Sequence, residues 1–243
     1  MARRPQQRIL VGAMVAATAV AGLAACDIGK SKTATDDTTV TQKVTSVRLD
    51  DSNGSVRVEG SAGVTTVSVH RVVRYHGDKP GATSRVDKGV LWLSGCGHNC
   101  GADYVVTVPA GLAVAGGTSN GAITLKGVGT ADVHTSNGKI TVTGATGALK
   151  VRTSNGAISV DGTRGGVDAQ SSNGKITVTT PAPQDVRAHT SNASITVTAA
   201  PGAYRVSAKT SNADKNVGIA DDPAGTYRLD LSTSNGTLTL RKG

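Results

Sequence analysis

Read as hydrophobic and polar positions, the chain changes character twice. Residues 9–25 (ILVGAMVAATAVAGLAA) form an uninterrupted apolar run behind a basic start, and residues 27–43 (DIGKSKTATDDTTVTQK) then offer almost nothing to bury. The polar stretch reads as a flexible tether with an r.m.s. reach of roughly 20–25 Å if coil-like. From residue 44 onward, short apolar alternations of period two return repeatedly, as half-buried strands require.

The alternations are phased by a motif. Ser-Asn followed by Gly or Ala places Asn53, Asn120, Asn137, Asn155, Asn173, Asn192, Asn212 and Asn235, and from Asn120 the spacings are 17, 18, 18, 19, 20 and 23. A fixed period of this size signals a stacked architecture. Before the Asn, inward positions hold Ala131, Val133 and Thr135 in one copy and Leu149, Val151 and Thr153 in the next. After it they hold Ile123 and Leu125, Ile140 and Val142, Ile158 and Val160, Ile176 and Val178, Ile195 and Val197, Leu238 and Leu240. The parity flips by one at Asn-Gly, where a residue with positive φ is expected.

Two strands per period fit either a meander of hairpins or a solenoid. Because Thr-Ser-Asn returns at the same phase each time, the solenoid is preferred: equivalent strands stack in parallel about 4.8 Å apart, and the asparagines hydrogen-bond amide to amide as a ladder. The fold class is therefore all-β, a β-solenoid-like stack of coils about 18 residues long. The outward file Asp132, Lys150, Asp168, Arg187, Arg205, Asp230 changes sign at four of its five steps, which suits stacked neighbours. A second file, His134, Arg152, Gln170, His189, Lys209 and Ser232, is polar with a basic bias. At Asn212 the pattern breaks into Asp214, Lys215 and Asn216, read as a loop bulging from the stack.

The Asn53 copy obeys the same rule, with Val47 and Leu49 before it and Val56 and Val58 after it. The motif is then absent for 67 residues, a gap that holds longer alternations such as Val64–Tyr75 and Tyr104–Val108. A solenoid needs its open end covered, and this segment is read as that cap. The resulting organisation is a leader over 1–25, a tether over 26–43, and one β-repeat domain over 44–243, irregular over 61–110 and regular over 111–243.

Composition narrows the core. The chain has no Phe, one Trp, four Tyr and 31 Gly, so Val, Ile, Leu, Ala and Thr must fill thin stacked layers. Formal charge is +9, of which Arg3, Arg4 and Arg8 supply three, leaving +6 for the remainder. With cations scattered and aromatics too scarce to stack bases, nucleic-acid binding is not expected. The apolar run ends at Leu23-Ala24-Ala25-Cys26, the pattern of a bacterial lipobox. Cys26 is thus expected to carry lipid, making the chain a membrane-anchored lipoprotein on the extracytoplasmic face.

With Cys26 used by lipid, Cys96 and Cys100 remain, and an oxidising compartment favours a local disulfide. The alternative is a metal site of Cys96, His98 and Cys100, for which no fourth ligand is suggested nearby. No cofactor is expected: Cys-x-x-Cys-His, the haem signature, is absent.

Val106-Thr107-Val108-Pro109-Ala110-Gly111, followed by repeated Thr-Ser-Asn-Gly-x-Ile, resembles the bacterial putative-adhesin family of β-strand-repeat domains of unknown function. The resemblance covers roughly residues 44–243; the Ala- and Gly-rich lipoprotein form with a Cys-x-x-x-Cys segment is similar to members from actinobacteria, and the chain departs from the pattern at Ala193 and Ala213, which follow Asn in place of Gly. It implies a β-solenoid-like fold and an envelope location, with no catalytic residues to carry over.

The leading functional expectation is a noncatalytic adhesin-like surface module facing a wall polymer or an envelope protein. A second is an accessory to envelope stress sensing that docks a membrane partner. A third, a carbohydrate-active β-helix enzyme, lacks paired carboxylates: Glu59 is the only Glu, and His134 and His189 sit three coils apart, roughly 14 Å at strand spacing.

Overall fold

The computed structural model describes residues 31–243; the leader and Cys26 lie outside the described residues. The first seven strands are β1 (Lys32–Val40), β2 (Ser46–Asp50), β3 (Val56–Ser61), β4 (Val67–Tyr75), β5 (Ser84–Asp87), β6 (Val90–Ser94) and β7 (Cys100–Pro109). Five regular pairs follow: β8 (Ala113–Thr118) with β9 (Ile123–Lys126), β10 (Ala131–Thr135) with β11 (Ile140–Thr143), β12 (Leu149–Thr153) with β13 (Ile158–Asp161), β14 (Val167–Ser171) with β15 (Ile176–Thr179), and β16 (Val186–His189) with β17 (Ile195–Ala199). The chain ends in β18 (Tyr204–Lys209), β19 (Lys215–Val217), β20 (Tyr227–Ser232) and β21 (Leu238–Lys242).

These strands build two sheets, of eleven and ten strands. The first strand of each regular pair joins the ten-stranded sheet and the second joins the eleven-stranded one, so every Ser-Asn-Gly turn crosses between sheets. Stacking is parallel and in register: Ile123, Ile140, Ile158, Ile176, Ile195 and Leu238 form one file. Val133, Val151, Ala169, Ala188 and Leu231 form its counterpart in the other sheet. Both files are buried and belong to one continuous cluster running from Val40 to Leu240. Residues 31–243 thus carry a complete core of their own, and each coil supplies apolar area that only its neighbours can cover.

The segment without the motif makes one further coil and a cap. β6 lies parallel to β2, and β7 lies parallel to β3. Beyond them β5 closes one sheet antiparallel to β6, while β4 and then β1 close the other. The tether expected over 27–43 is corrected for Lys32–Val40, which is an edge strand paired along its length with β4; residues 27–30 lie outside the described residues. Its polar composition suits that place. An outermost strand buries little, so Thr and Asp serve on it, and charge there blocks pairing with other chains. Asp36 receives Arg71 at 2.6 Å and Lys79 at 2.6 Å, and Arg71 is 8 % exposed at its side chain.

The last two coils are stacked out of sequence order. β20 pairs with β16, and β18 pairs with β20 on its far side; β21 pairs with β17, and β19 with β21. The Asn212 copy is thus the terminal coil, not a bulge, and the Asn235 copy is threaded beneath it. Apolar content decides the order: Leu229, Leu231, Leu238 and Leu240 are buried from both sides, whereas Lys215-Asn216-Val217 is exposed throughout. The charge file is corrected with it. Arg187 faces Asp230, Ser207 faces Asp230 in turn, and Arg205 lies opposite Arg228 in another file. The exposed edge of β18 is blunted by the returning loop, since Val206 N donates to Asp221 Oδ1 at 2.8 Å and Asp222 N to Tyr204 O at 2.8 Å.

Candidate functional site

The motif builds one edge of the stack. Each motif Asn beyond Asn53 donates from Nδ2 to Oδ1 of the Asn below at 2.7–2.8 Å, in the spatial order Asn53, Asn120, Asn137, Asn155, Asn173, Asn192, Asn235, Asn212. Beneath them a buried hydroxyl does a second job. Thr153 Oγ1 accepts from Gly156 N at 3.1 Å and donates to Gly138 O, one coil down, at 3.2 Å. Thr135 and Ser171 repeat the arrangement.

The motif glycines are required by close approach, not by positive φ. Positive φ falls on Lys88 and Asn99 and on glycines such as Gly127, Gly144 and Gly162 at the opposite turns, none of which follows a motif Asn. A Cβ on Gly156 or Gly174 would lie 1.7 Å from the carbonyl oxygen of the equivalent glycine below. Close backbone approach is glycine's other use, and the expectation of a left-handed turn is corrected on this ground.

The first coil substitutes Asp51 for the motif Thr. Asp51 Oδ1 accepts from Ser52 N at 2.6 Å and from Asn53 N at 3.3 Å, while Oδ2 is buried without a partner among the described residues. Burial pushes the carboxyl above the ordinary aspartate range, and the two backbone hydrogen bonds do not offset it. Oδ2 and the Ala102 carbonyl oxygen both lie within 2.4 Å of the point where a Cβ on Gly54 would stand. At the matching position of the next coil Thr118 keeps the motif hydroxyl and donates to Gly54 O at 3.1 Å. At the far side of the cap, burial raises the Asp36 carboxyl, but hydrogen bonds from Lys79 and Arg71 outweigh it and hold the group below the ordinary range.

Cys96 and Cys100 are joined to each other, with Cα atoms 5.7 Å apart, in the β6–β7 link where other coils carry the motif. No thiolate is left there for a metal with His98, and no group of three or more metal-ligating side chains is gathered among the described residues.

The outer face of the ten-stranded sheet collects the charged side chains. In its middle file Asp132, Lys150, Asp168, Arg187 and Asp230 stand opposite one another strand by strand. Beside it run His134, Arg152, Gln170, His189 and Ser232. Arg152 reaches Asp132 at 3.1 Å, Gln170 Nε2 donates to Asp168 at 2.9 Å, and His189 Nδ1 meets Ser232 Oγ at 2.7 Å. Two open grooves flank the middle file. One, of about 530 Å³, runs along His134, Arg152, Gln170 and His189 to the motif serines. The other, of about 590 Å³, lies over Leu149, Val167 and Val186 between Asp168, Arg187 and Arg228. Carboxylates in the middle file are separated by cations, an arrangement suited to holding a polar ligand by many weak contacts and not to paired-carboxylate chemistry. Neither Asp51 nor Trp92 stands out in the repeat pattern; their signals are Asp in place of Thr before Ser-Asn, and the one Trp at an outward strand position.

The family model described as Toastrack DUF4097 matches residues 115–241, more than half of the chain. Among solved structures, the chain is similar to a putative cell adhesion protein from Clostridium sporogenes, at 12% identity and a TM-score of 0.37, over 87% of this chain and 100% of that one. It is also similar to a putative adhesin from Bacteroides fragilis, at 16% identity and a TM-score of 0.36, over 87% of this chain and 97% of the other. Neither likeness is close enough to carry fold or function across. A search of curated proteins finds no match. On the family model, the chain belongs to the Toastrack DUF4097 family.

Proposed function

We propose that the protein is a noncatalytic, adhesin-like interaction module, held at the extracytoplasmic membrane face by lipid on Cys26, whose ten-stranded outer face binds an extended polymer of the cell wall. The observation that carries this reading is the regularity of that face. Side chains that donate and accept hydrogen bonds recur once per strand, about 4.8 Å apart, along two grooves that follow the stack. A chain polymer repeating its hydroxyl and ionic groups meets such an array many times, and weak contacts add through multivalency.

The test is co-sedimentation of residues 31–243 with purified cell wall across a salt series. Binding is expected, with steep loss at high salt. The triple variant His134→Gln, Arg152→Gln, His189→Gln should bind at least about fivefold more weakly, since each lost polar contact contributes about 0.5–1.5 kcal/mol. Wall binding that the triple variant leaves intact would sink the assignment of this face.

A further inference from the structure

The sole Trp stands outside the core. Trp92 is half-buried on the outer face of β6, in register between Arg85 of β5 and Arg48 of β2. Both guanidiniums lie over its ring, at 5.0 Å and 5.9 Å from the centroid. Arg48 and Arg85 are both exposed, so guanidiniums stacked on the ring keep N–H groups open to bidentate contact with an oxyanion. Thr45 N donates to Gly89 O at 2.8 Å, which brings exposed Lys43 and Lys88 to the same corner. Asp50 and Asp87 lie two residues from Arg48 and Arg85 along their strands. Among the described residues, none of these four cations is ion-paired, whereas Arg57, Arg71, Arg74, Arg152 and Arg228 all are. Beside the ring, Val90, Ala113 and Ala115 line a shallow, largely apolar groove of about 250 Å³.

The corner sits at a particular end of the molecule. β5 is the edge of the ten-stranded sheet at the same end at which β1 is the edge of the other. Because β1 begins at Lys32, only five residues separate the fold from Cys26, a span of at most about 20 Å. Aromatic and cationic side chains together are the residues that settle at a membrane interface, the ring at headgroup depth and the cations on phosphate.

We propose that Arg48, Trp92 and Arg85, with Lys43 and Lys88, form a docking surface for the anionic phospholipid headgroups of the membrane, on which this end of the stack rests. The inference builds on the lipid-anchored reading above, but the patch is testable without the anchor. The capped end then faces the bilayer, and the long outer face rises from it toward the wall.

Because Trp92 is the only Trp, its emission reports this patch alone. Residues 31–243 are titrated with vesicles of phosphatidylglycerol and phosphatidylcholine, and separately with phosphatidylcholine alone. A blue shift and quenching by brominated acyl chains are expected with the anionic vesicles only, weakening as salt rises. Arg48→Gln with Arg85→Gln should bind about tenfold or more weakly, Arg48→Lys with Arg85→Lys should keep most of the binding, and urea unfolding of each verifies that it folds. Three results overturn the proposal: equal binding to both vesicle types, full binding by the Gln pair, or selective loss of wall binding in that pair, which would make the wall the source of the anion. Wall binding unchanged in the Gln pair leaves the polymer-binding face standing whichever way the vesicle result falls.

Discussion

The two ends of the stack solve one problem by different means. A row of parallel strands ends in unpaired backbone groups and a half-covered layer of apolar side chains. At the N-terminal end the chain spends three additional strands on closure. β5 covers one sheet, β4 and β1 cover the other, and Arg71, buried and bonded to Asp36, Gly81 O and Thr83, seals the gap between them. At the C-terminal end no additional strand is used. The most polar coil is placed outermost, the most apolar is drawn inside, and Asp221 and Asp222 occupy backbone groups along the edge of β18. Closure by added strands is independent of the repeat, whereas closure by reordering makes two coils depend on each other.

That dependence gives the largest effect. Removing residues 227–243 takes away β20 and β21 and with them, among the described residues, the only sheet partners of β18 and β19. Hydrogen exchange should show protection lost over 203–219 as well as at the new edge, β16 and β17, while β1–β7 keep theirs. If 203–219 redocked on β16 and β17 with full protection, the two coils would be independent and the contrast between the ends would fail.

A smaller effect separates the ends by pH. Asp51 carries a raised value in the folded state, so its contribution to stability is fully present below the unfolded value of about 3.9 and is lost as pH rises through the folded one. Asp51→Thr restores the motif hydroxyl. It should add about 1–3 kcal/mol at neutral pH, the cost of a buried unsatisfied polar group, and flatten the decline of stability with rising pH. Urea melts across pH 4–8 measure both; an unchanged pH slope would show that Asp51 is not the group responsible.

The smallest effect compares the middle of the Asn ladder with its end. Asn155 takes part in two amide bonds and Asn212 in one. At about 0.5–1.5 kcal/mol each, Asn155→Ala should cost about twice as much as Asn212→Ala in thermal melts. Equal costs would mean that the amides contribute singly to their own turns and not as a ladder.

Much of this was legible beforehand, and the exceptions share a cause. The buried files could be read because a strand's inward face repeats every second residue and the Asn fixes its phase, so Ile158 above Ile140 follows from the sequence. The identity of a motif glycine is compatible with either positive φ or a carbonyl too close for a Cβ, so Gly156 alone could not distinguish them. Strand β1 was unreadable because an edge strand has little apolar demand, and KTATDDTTV carries as little as a linker does. The swapped coil order escaped because both coils keep the motif in phase. What distinguished them was the contrast between Leu238 with Leu240 and Lys215 with Val217, an argument about how many sides of a strand are covered. The outer face was legible as alternating charge, but its pairing at Arg187 depended on knowing which coil came next.

The Asn ladder also has a direction. All seven amide bonds run in one direction, leaving Nδ2 of Asn53 as the donor end and Oδ1 of Asn212 as the acceptor end. Turning one amide over would set N–H against N–H on one side and oxygen against oxygen on the other. The eight side chains therefore share one polarity: a ligand at the Asn53 end would meet an amide donor, and one at the Asn212 end an amide oxygen.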